Sequence, residues 1–384
     1  MRQLTGLDAT FLHMESNTTF GHVSGLGLYS RPTPDFDPYT VVFERFEALA
    51  GHVGPLHQKL HSVPFGLDHP YWVADENFDL EYHVRHLGLA PPGNEMQLTE
   101  QVARIFGRAL DRTRPLWEVY VIEGLEDGRW ALMTKFHHSS IDGGAGVVLL
   151  NMLTDTSPEP RNDYSPVPVP EESAPSDSEM LRTALAKLAV SPVRSLRLQL
   201  RVMQGLMDST GFAPASQVTR AVRRTVRTVT RRPDMEHPTA ADRVRLPLTP
   251  APPTPWNRTI TAHRRFAMRS ASLDTLKALK TASGGTVNDI VMAICTGALR
   301  TYLQRHGALP DRPLRAMVPV SFRTGEEEVP WTNMVSGIVA DLPTDCDDPV
   351  ERVHLCHEAM EVAKRQFELI PADAIAQGAQ ATSP

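Results

Sequence analysis

Two adjacent histidines, followed by an aspartate and a pair of glycines, stand in Lys135-Phe136-His137-His138-Ser139-Ser140-Ile141-Asp142-Gly143-Gly144. These side chains could support three chemistries. Metal binding would draw on His137, His138 and Asp142, but neighbouring side chains on an extended segment point to opposite faces, and no further His/Cys cluster has the spacing of a zinc site. The expectation is therefore that the chain holds no metal. Serine hydrolysis by Ser139 or Ser140 would lack the Gly-x-Ser-x-Gly turn and would set the nucleophile beside its own base. A histidine acting as general base on a hydroxyl or thiol of the substrate needs the fewest residues, with the aspartate fixing the loop. A structural alternative stands beside it, with one histidine packed, the other solvated, and Asp142 capping the next helix.

Such a loop needs rigid elements on both sides. Upstream, Trp130 to Phe136 has the aromatic and aliphatic content of a strand; downstream, Ala145 to Leu153 is long and apolar enough to start a buried helix. The histidines thus fall at a strand's end, where a scaffold can aim a side chain into a cleft. Gly143 and Gly144 would permit a tight turn and close approach of a substrate.

With 384 residues, 41% hydrophobic and 22% charged, the chain can bury a sizeable core, and two domains are expected. Cys295, Cys346 and Cys356 lie in unrelated contexts and read as reduced, packed thiols of a cytoplasmic setting. The N-terminal residues carry Arg2, Asp8 and Glu15 with no apolar core segment, so no secretory signal is expected. No apolar window approaches the ~18–20 residues needed to span a bilayer. Contact with lipid would therefore be made from the surface.

Charge is distributed unevenly behind the net value of −6. Between Leu181 and Arg232 stand Arg182, Lys187, Arg194, Arg197, Arg201, Arg220, Arg223, Arg224, Arg227, Arg231 and Arg232 against the single acid Asp208. Leucines, valines and methionines recur at helical spacing in the same segment, with a break at Ser191-Pro192. A basic amphipathic helix pair suits the headgroups of an anionic membrane or a lipid droplet; a solvated face pairing with acidic neighbours is the alternative. Nucleic acid is a poor fit, because stacking aromatics are missing and the chain as a whole is acidic.

Pro-rich tracts at Ser157–Pro175 and Leu246–Pro255 bracket that segment. They divide the chain into an N-terminal unit (1–155), a connector (156–255) and a C-terminal unit (256–384). In the last, Thr261 to Met268 reads as a strand, Ser272 to Thr281 as a helix, and a longer helix runs from Thr286-Val287-Asn288-Asp289 to Leu303, with Thr or Asn as its cap. A strand follows over Leu314 to Phe322 and a helix over Asp348 to Leu369.

Beyond the histidine loop, several blocks occur in order: Leu4-Thr5-Gly6-Leu7-Asp8-Ala9-Thr10-Phe11-Leu12, Gly21-His22-Val23, Pro115-Leu116-Trp117, Thr286-Val287-Asn288-Asp289, Pro319-Val320-Ser321-Phe322-Arg323 and Asn333-Met334-Val335-Ser336. With these the sequence resembles the bacterial wax ester synthase/acyl-CoA:diacylglycerol acyltransferases, within the His-His-x-x-x-Asp-Gly acyltransferases that look like chloramphenicol acetyltransferase. The resemblance implies an α/β fold of two facing sandwich halves joined by a helical connector, with the histidine loop where a tunnel passes between them. It implies acyl transfer from acyl-CoA, a substrate and not a cofactor, to diacylglycerol or a long-chain alcohol. His138 would be the general base, His137 a supporting residue, Asp142 and Gly143 structural, and Asn288, Asp289 and Arg323 supports of the substrate site, Arg323 as the ion-pair partner of Asp142. The expected setting is the cytoplasm, at the inner face of the plasma membrane or on lipid droplets. Two other readings share the loop: a condensation-type enzyme using carrier-protein thioesters, and an inactive lipid-surface paralogue. The family pattern continues through further C-terminal strands, whereas this chain stops at Pro384, so an incomplete C-terminal half is expected.

Overall fold

The computed structural model describes residues 2–157, 164–187, 250–321, 331 and 333–368. The basic segment beyond Lys187 and the predicted partner Arg323 lie outside the described residues. The N-terminal half is built on a four-stranded sheet in the order β2 (His22–Tyr29), β7 (Trp130–His137), β6 (Trp117–Glu123), β5 (Val84–Gly88). β7 runs antiparallel to both neighbours, while β5 and β6 are parallel. A smaller sheet joins β1 (Arg2–Gln3), β4 (Tyr71–Ala74) and β3 (Gln58–His61).

Strand alternation assigns each face of the large sheet a core. Trp117, Val119, Val121 and Phe136 pack on one side with Phe46 and Leu49 of α2 (Pro38–Ala50). Tyr120, Ile122, Ala131 and Met133 pack on the other with Leu98, Val102 and Ile105 of α5 (Glu95–Phe106). Between β1 and α5 the chain also forms α1 (Gly6–His13) and two single-turn helices, α3 (Gly54–His57) and α4 (Leu80–His83). Lys135 faces α5 and is fully buried, yet its charge is placed: Nζ donates to the carbonyls of Arg108 at 2.6 Å and Ile105 at 3.3 Å, and lies 3.4 Å from Glu118. A cation on the carbonyl end of a helix is favourable, and it ties α5 to the strand that delivers the histidines.

After α6 (Gly143–Leu153) the described connector includes α7 (residues 177–187). The C-terminal half contains α8 (Leu273–Ser283), α9 (Val287–Arg305), the antiparallel pair β8 (Leu314–Ser321) and β9 (Val335–Leu342), and α10 (Pro349–Glu368). Ile338 and Ala340 pack on Met360 and Ala363 of α10, with Met292 of α9 beside them. The cap expected at Thr286 is present, as a reciprocal box with Asp289 at the start of α9, and Ser272 caps α8.

One predicted element is corrected. Thr261 to Met268 forms no strand, and the chain bends at Ala262. Its alternating side chains are satisfied by the N-terminal half instead of a ladder: Met268 joins the α5 core, and Arg264 lies over the Phe20 ring and donates to the Thr18 carbonyl at 2.6 Å. Pattern alone does not separate a paired strand from a strap whose side chains find another surface.

Candidate active site

β7 ends at His137, and the next amide, from His138, still donates to the Gly21 carbonyl at 2.8 Å, so the ladder reaches into the loop. His137 is buried. Its Nδ1 accepts from the Ser139 amide at 3.1 Å and lies 2.7 Å from the Ser139 hydroxyl. An accepting Nδ1 leaves the proton of a neutral ring on Nε2, which faces Glu15 Oε1 at 3.2 Å. Burial alone would raise the Glu15 carboxyl. Contacts with His137, the Gly21 amide and Arg112 outweigh it and hold the carboxyl down to about 2. Gly21 has no room for a side chain here, since a Cβ would meet His137 Nε2 at 2.7 Å and the Phe11 carbonyl at 2.8 Å.

His138 is held differently. Its ring stacks on Phe11 with centroids 4.6 Å apart, and its Nδ1 is buried without a hydrogen bond. Nε2 is the ring nitrogen left for a substrate. Burial pulls its pKa below the ordinary imidazole value, opposed by its own carbonyl and by the Asp142 charge. The ring is therefore neutral at physiological pH, the form a general base requires.

Asp142 is the N-cap of α6. Oδ1 accepts from the Ala145 amide at 2.8 Å and Oδ2 from the Met334 amide at 2.9 Å. The capping role weighed from the sequence and the loop-fixing role are thus one geometry. Gly143 is exposed at the first helical position, and a Cβ there would meet nothing.

The C-terminal half reaches this loop through Asn333 and Met334. Asn333 is buried, and its Nδ2 donates both to Asp8 Oδ1 at 2.6 Å and to the His138 carbonyl at 2.7 Å. Turning the amide over would set oxygen against oxygen at both contacts, so its neighbours define its orientation. Asp8 also closes the capping box of α1 with Thr5.

The predicted pair Asn288 and Asp289 stands in the first turn of α9. Asn288 is exposed on α9, while Asp289 is buried, boxed with Thr286 and 2.9 Å from His357 Nδ1 of α10. Its bonds brace the C-terminal half, and none of them reaches residues 137–142. Asp8, Phe11 and Asn333 stand in the blocks that carry the resemblance, but nothing in the sequence places them at the site, and Glu15 stands in no such block. A Thr-x-x-Asp capping box was legible at Thr5–Asp8; the contact to a residue 325 positions away was not.

The model of the wax ester synthase/diacylglycerol acyltransferase catalytic domain matches residues 4–291, and that of the family's C-terminal domain matches 331–384. The chain belongs to the wax ester synthase/diacylglycerol acyltransferase family. It is an O-acyltransferase by that membership. A protein of Mycobacterium tuberculosis named as a probable diacylglycerol O-acyltransferase is 34% identical over 369 residues, 95% of this chain and 74% of the relative. The O-acyltransferase WSD of Acinetobacter baylyi is 31% identical over 378 residues, 98% and 75% of the two chains. Among solved structures, the family's enzyme from Marinobacter aquaeolei VT8 superposes with a TM-score of 0.62 at 29% identity, covering 99% of this chain and 75% of that one. The first condensation domain of the calcium-dependent antibiotic synthetase gives 0.51 at 16% identity over 96% and 75%, a likeness of fold alone.

Proposed function

We propose that this family member transfers the acyl group of acyl-CoA to the hydroxyl of diacylglycerol or a long-chain alcohol, with His138 as the general base. The observation that carries this reading is the presentation of His138: a ring braced by Phe11, with Nδ1 enclosed and its carbonyl held by Asn333. A hydroxyl is a weak nucleophile at neutral pH. As its oxygen attacks the thioester carbon, Nε2 of His138 takes the proton. The tetrahedral intermediate then collapses, the carbon–sulfur bond breaks, and the departing CoA thiolate recovers the proton from His138. The overall exchange is thioester plus alcohol to ester plus thiol. His137 stays outside this transfer, with Ser139 and Glu15 on its two nitrogens, and supports the loop. Asp142 sets the start of α6, and Gly143 keeps the approach clear. Asp289 and Asn288 act at one remove by stabilising the half that presents Asn333, and Arg323 is proposed as a further partner of Asp142.

Water admitted beside a thioester and a base would be acylated in place of the lipid hydroxyl, so the site must exclude it. No helix among the described residues is long and apolar enough to cross a membrane. Lipid acceptors are then met by peripheral engagement with a membrane or droplet surface. The direct test supplies purified protein with labelled palmitoyl-CoA and either diolein or hexadecanol. Labelled triacylglycerol or wax ester is the expected product, and the ratio between them reports the acceptor preference. Labelled free fatty acid with no ester from either acceptor would reject the reading.

A further inference from the structure

Thr261 to Met268, the segment that forms no strand, belongs to a run with no acid between Trp256 and Ser272 but with Arg258, His263, Arg264, Arg265 and Arg269. Its course is fixed along α5. A Cβ at Gly107, just past the end of that helix, would meet the Ala262 carbonyl at 3.1 Å; Met268 packs with the α5 core; and Arg269 pairs with Glu95 at the helix start at 2.8 Å. The strap thus runs the length of α5 in the opposite direction. Arg264 pins it: Nη1 donates to the carbonyls of Thr261 at 2.7 Å and His263 at 3.1 Å, Nη2 to that of Thr18 at 2.6 Å, and the guanidinium lies over the Phe20 ring. Arg104 and Arg108 stand at the end of α5 that the strap crosses and are exposed, as are Arg258 and Arg265 on the strap. Among the described residues, Arg112 and Arg269 are ion-paired, with Glu15 and Glu95, and these four are not. The other acids alongside are Glu100 and Asp111, so the patch is net basic.

Resting on the acyl-CoA donor of the function proposed above, we infer that this patch holds the adenosine 3′-phosphate and diphosphate of CoA. Arg104, Arg108, Arg258 and Arg265 are the contacts, and Arg264 positions the strap. CoA carries its negative charges at the end remote from the thioester, and a guanidinium fork matches phosphate oxygens. The reach agrees. Thr18 lies three residues before Gly21, whose carbonyl accepts from the His138 amide at 2.8 Å. At about 3.5 Å per residue, Arg264 is within roughly 16 Å of the His138 backbone. The pantetheine arm is as long as about four extended residues, roughly 15 Å, so a thioester at His138 leaves the phosphates at the strap. Phe266 follows Arg265 with its ring 40% exposed and offers the adenine an apolar face. Arginines gathered at one helix end suit a compact polyanion better than the broad face that a protein partner covers.

Calorimetric titration of the full chain with S-hexadecyl-CoA and S-hexadecyl-pantetheine, thioethers that cannot transfer an acyl group, tests this. One double variant combines Arg104→Ser with Arg108→Ser, the other Arg258→Ser with Arg265→Ser. Wild type is expected to bind the CoA thioether at least roughly tenfold more tightly than the pantetheine thioether, with the difference shrinking as salt is raised. Each double variant is expected to weaken binding of the CoA thioether roughly tenfold and to bind the pantetheine thioether as wild type does. Equal binding of the two ligands by wild type would overturn the proposal. So would binding of the CoA thioether within twofold of wild type in both variants, or equal losses on both ligands, which would mean that the arginines hold the fold. Tighter wild-type binding of a palmitoylated acyl carrier protein than of the CoA thioether, lost in the same variants, would assign the strap to an acidic protein partner and overturn it as well. Titration is read without turnover, so failure of the acyltransfer reading is seen separately in the product assay.

Discussion

Replacing His138 by Ala is expected to lower kcat by roughly 10²–10⁴-fold, the range that general-base catalysis contributes, with KM for the acyl donor within a few-fold of wild type. Such a split marks a group acting in the transition state and not in uniform binding. The pH profile gives a second check. The base must be neutral, and burial depresses the His138 pKa, so the acid limb of kcat/KM should fall below the ordinary imidazole value of about 6.5. Stability limits how far that limb can be followed. Burial holds His22 and His83 down to about 4 in the folded protein. Unfolding lets both take up protons, so their contribution is complete above about 6.5 and is lost as pH falls from there towards 4. Rates should therefore be paired with a near-ultraviolet dichroism trace at each pH. An acid limb at or above the ordinary value, with the fold intact, would contradict the assignment.

Asn333→Asp is expected to cost about 10²-fold in kcat and about 3 kcal/mol in stability. The substitution puts a carboxylate against Asp8 and leaves the His138 carbonyl without its donor, and an error of an ångström in the placement of a base is worth about that loss of rate. The two effects can be separated by exchange. In the double variant Asp8→Asn, Asn333→Asp, an amide again meets a carboxylate between these positions, and the oxygen at position 8 can still accept from Thr5 in the α1 box. The bond to the His138 carbonyl is not restored. Tm should recover while kcat remains low. If rate and Tm recover together, Asn333 serves only to dock the two halves.

Much of this arrangement was legible locally. A strand ending at the histidines, an Asp142-capped helix and the Thr286 cap all depend on residues within a few positions of one another. Arrangements that depend on contacts across the chain were not legible. Asp8 looks like an ordinary capping residue until Asn333 is folded against it. Asp289 joins both cases: its box with Thr286 was legible locally, and its bond to His357, 68 positions away, was not. Thr261 to Met268 has the composition of a strand, and only the neighbouring surface decides that it is a strap. Lys135 is a further example, because a lysine in a strand gives no hint that the carbonyl end of a helix 27 residues away will receive it.

The central claim is that the acceptor hydroxyl, deprotonated by His138, attacks the thioester directly. Rapid-quench measurement of CoA release, with enzyme and palmitoyl-CoA at comparable concentrations, tests it most directly. Without acceptor, no burst of CoA should appear; on adding hexadecanol or diolein, CoA and ester should form in equal amounts, and His138→Ala should form neither at a comparable rate. A burst of CoA stoichiometric with enzyme before any acceptor is added, or ester formed at the wild-type rate by His138→Ala, would contradict it.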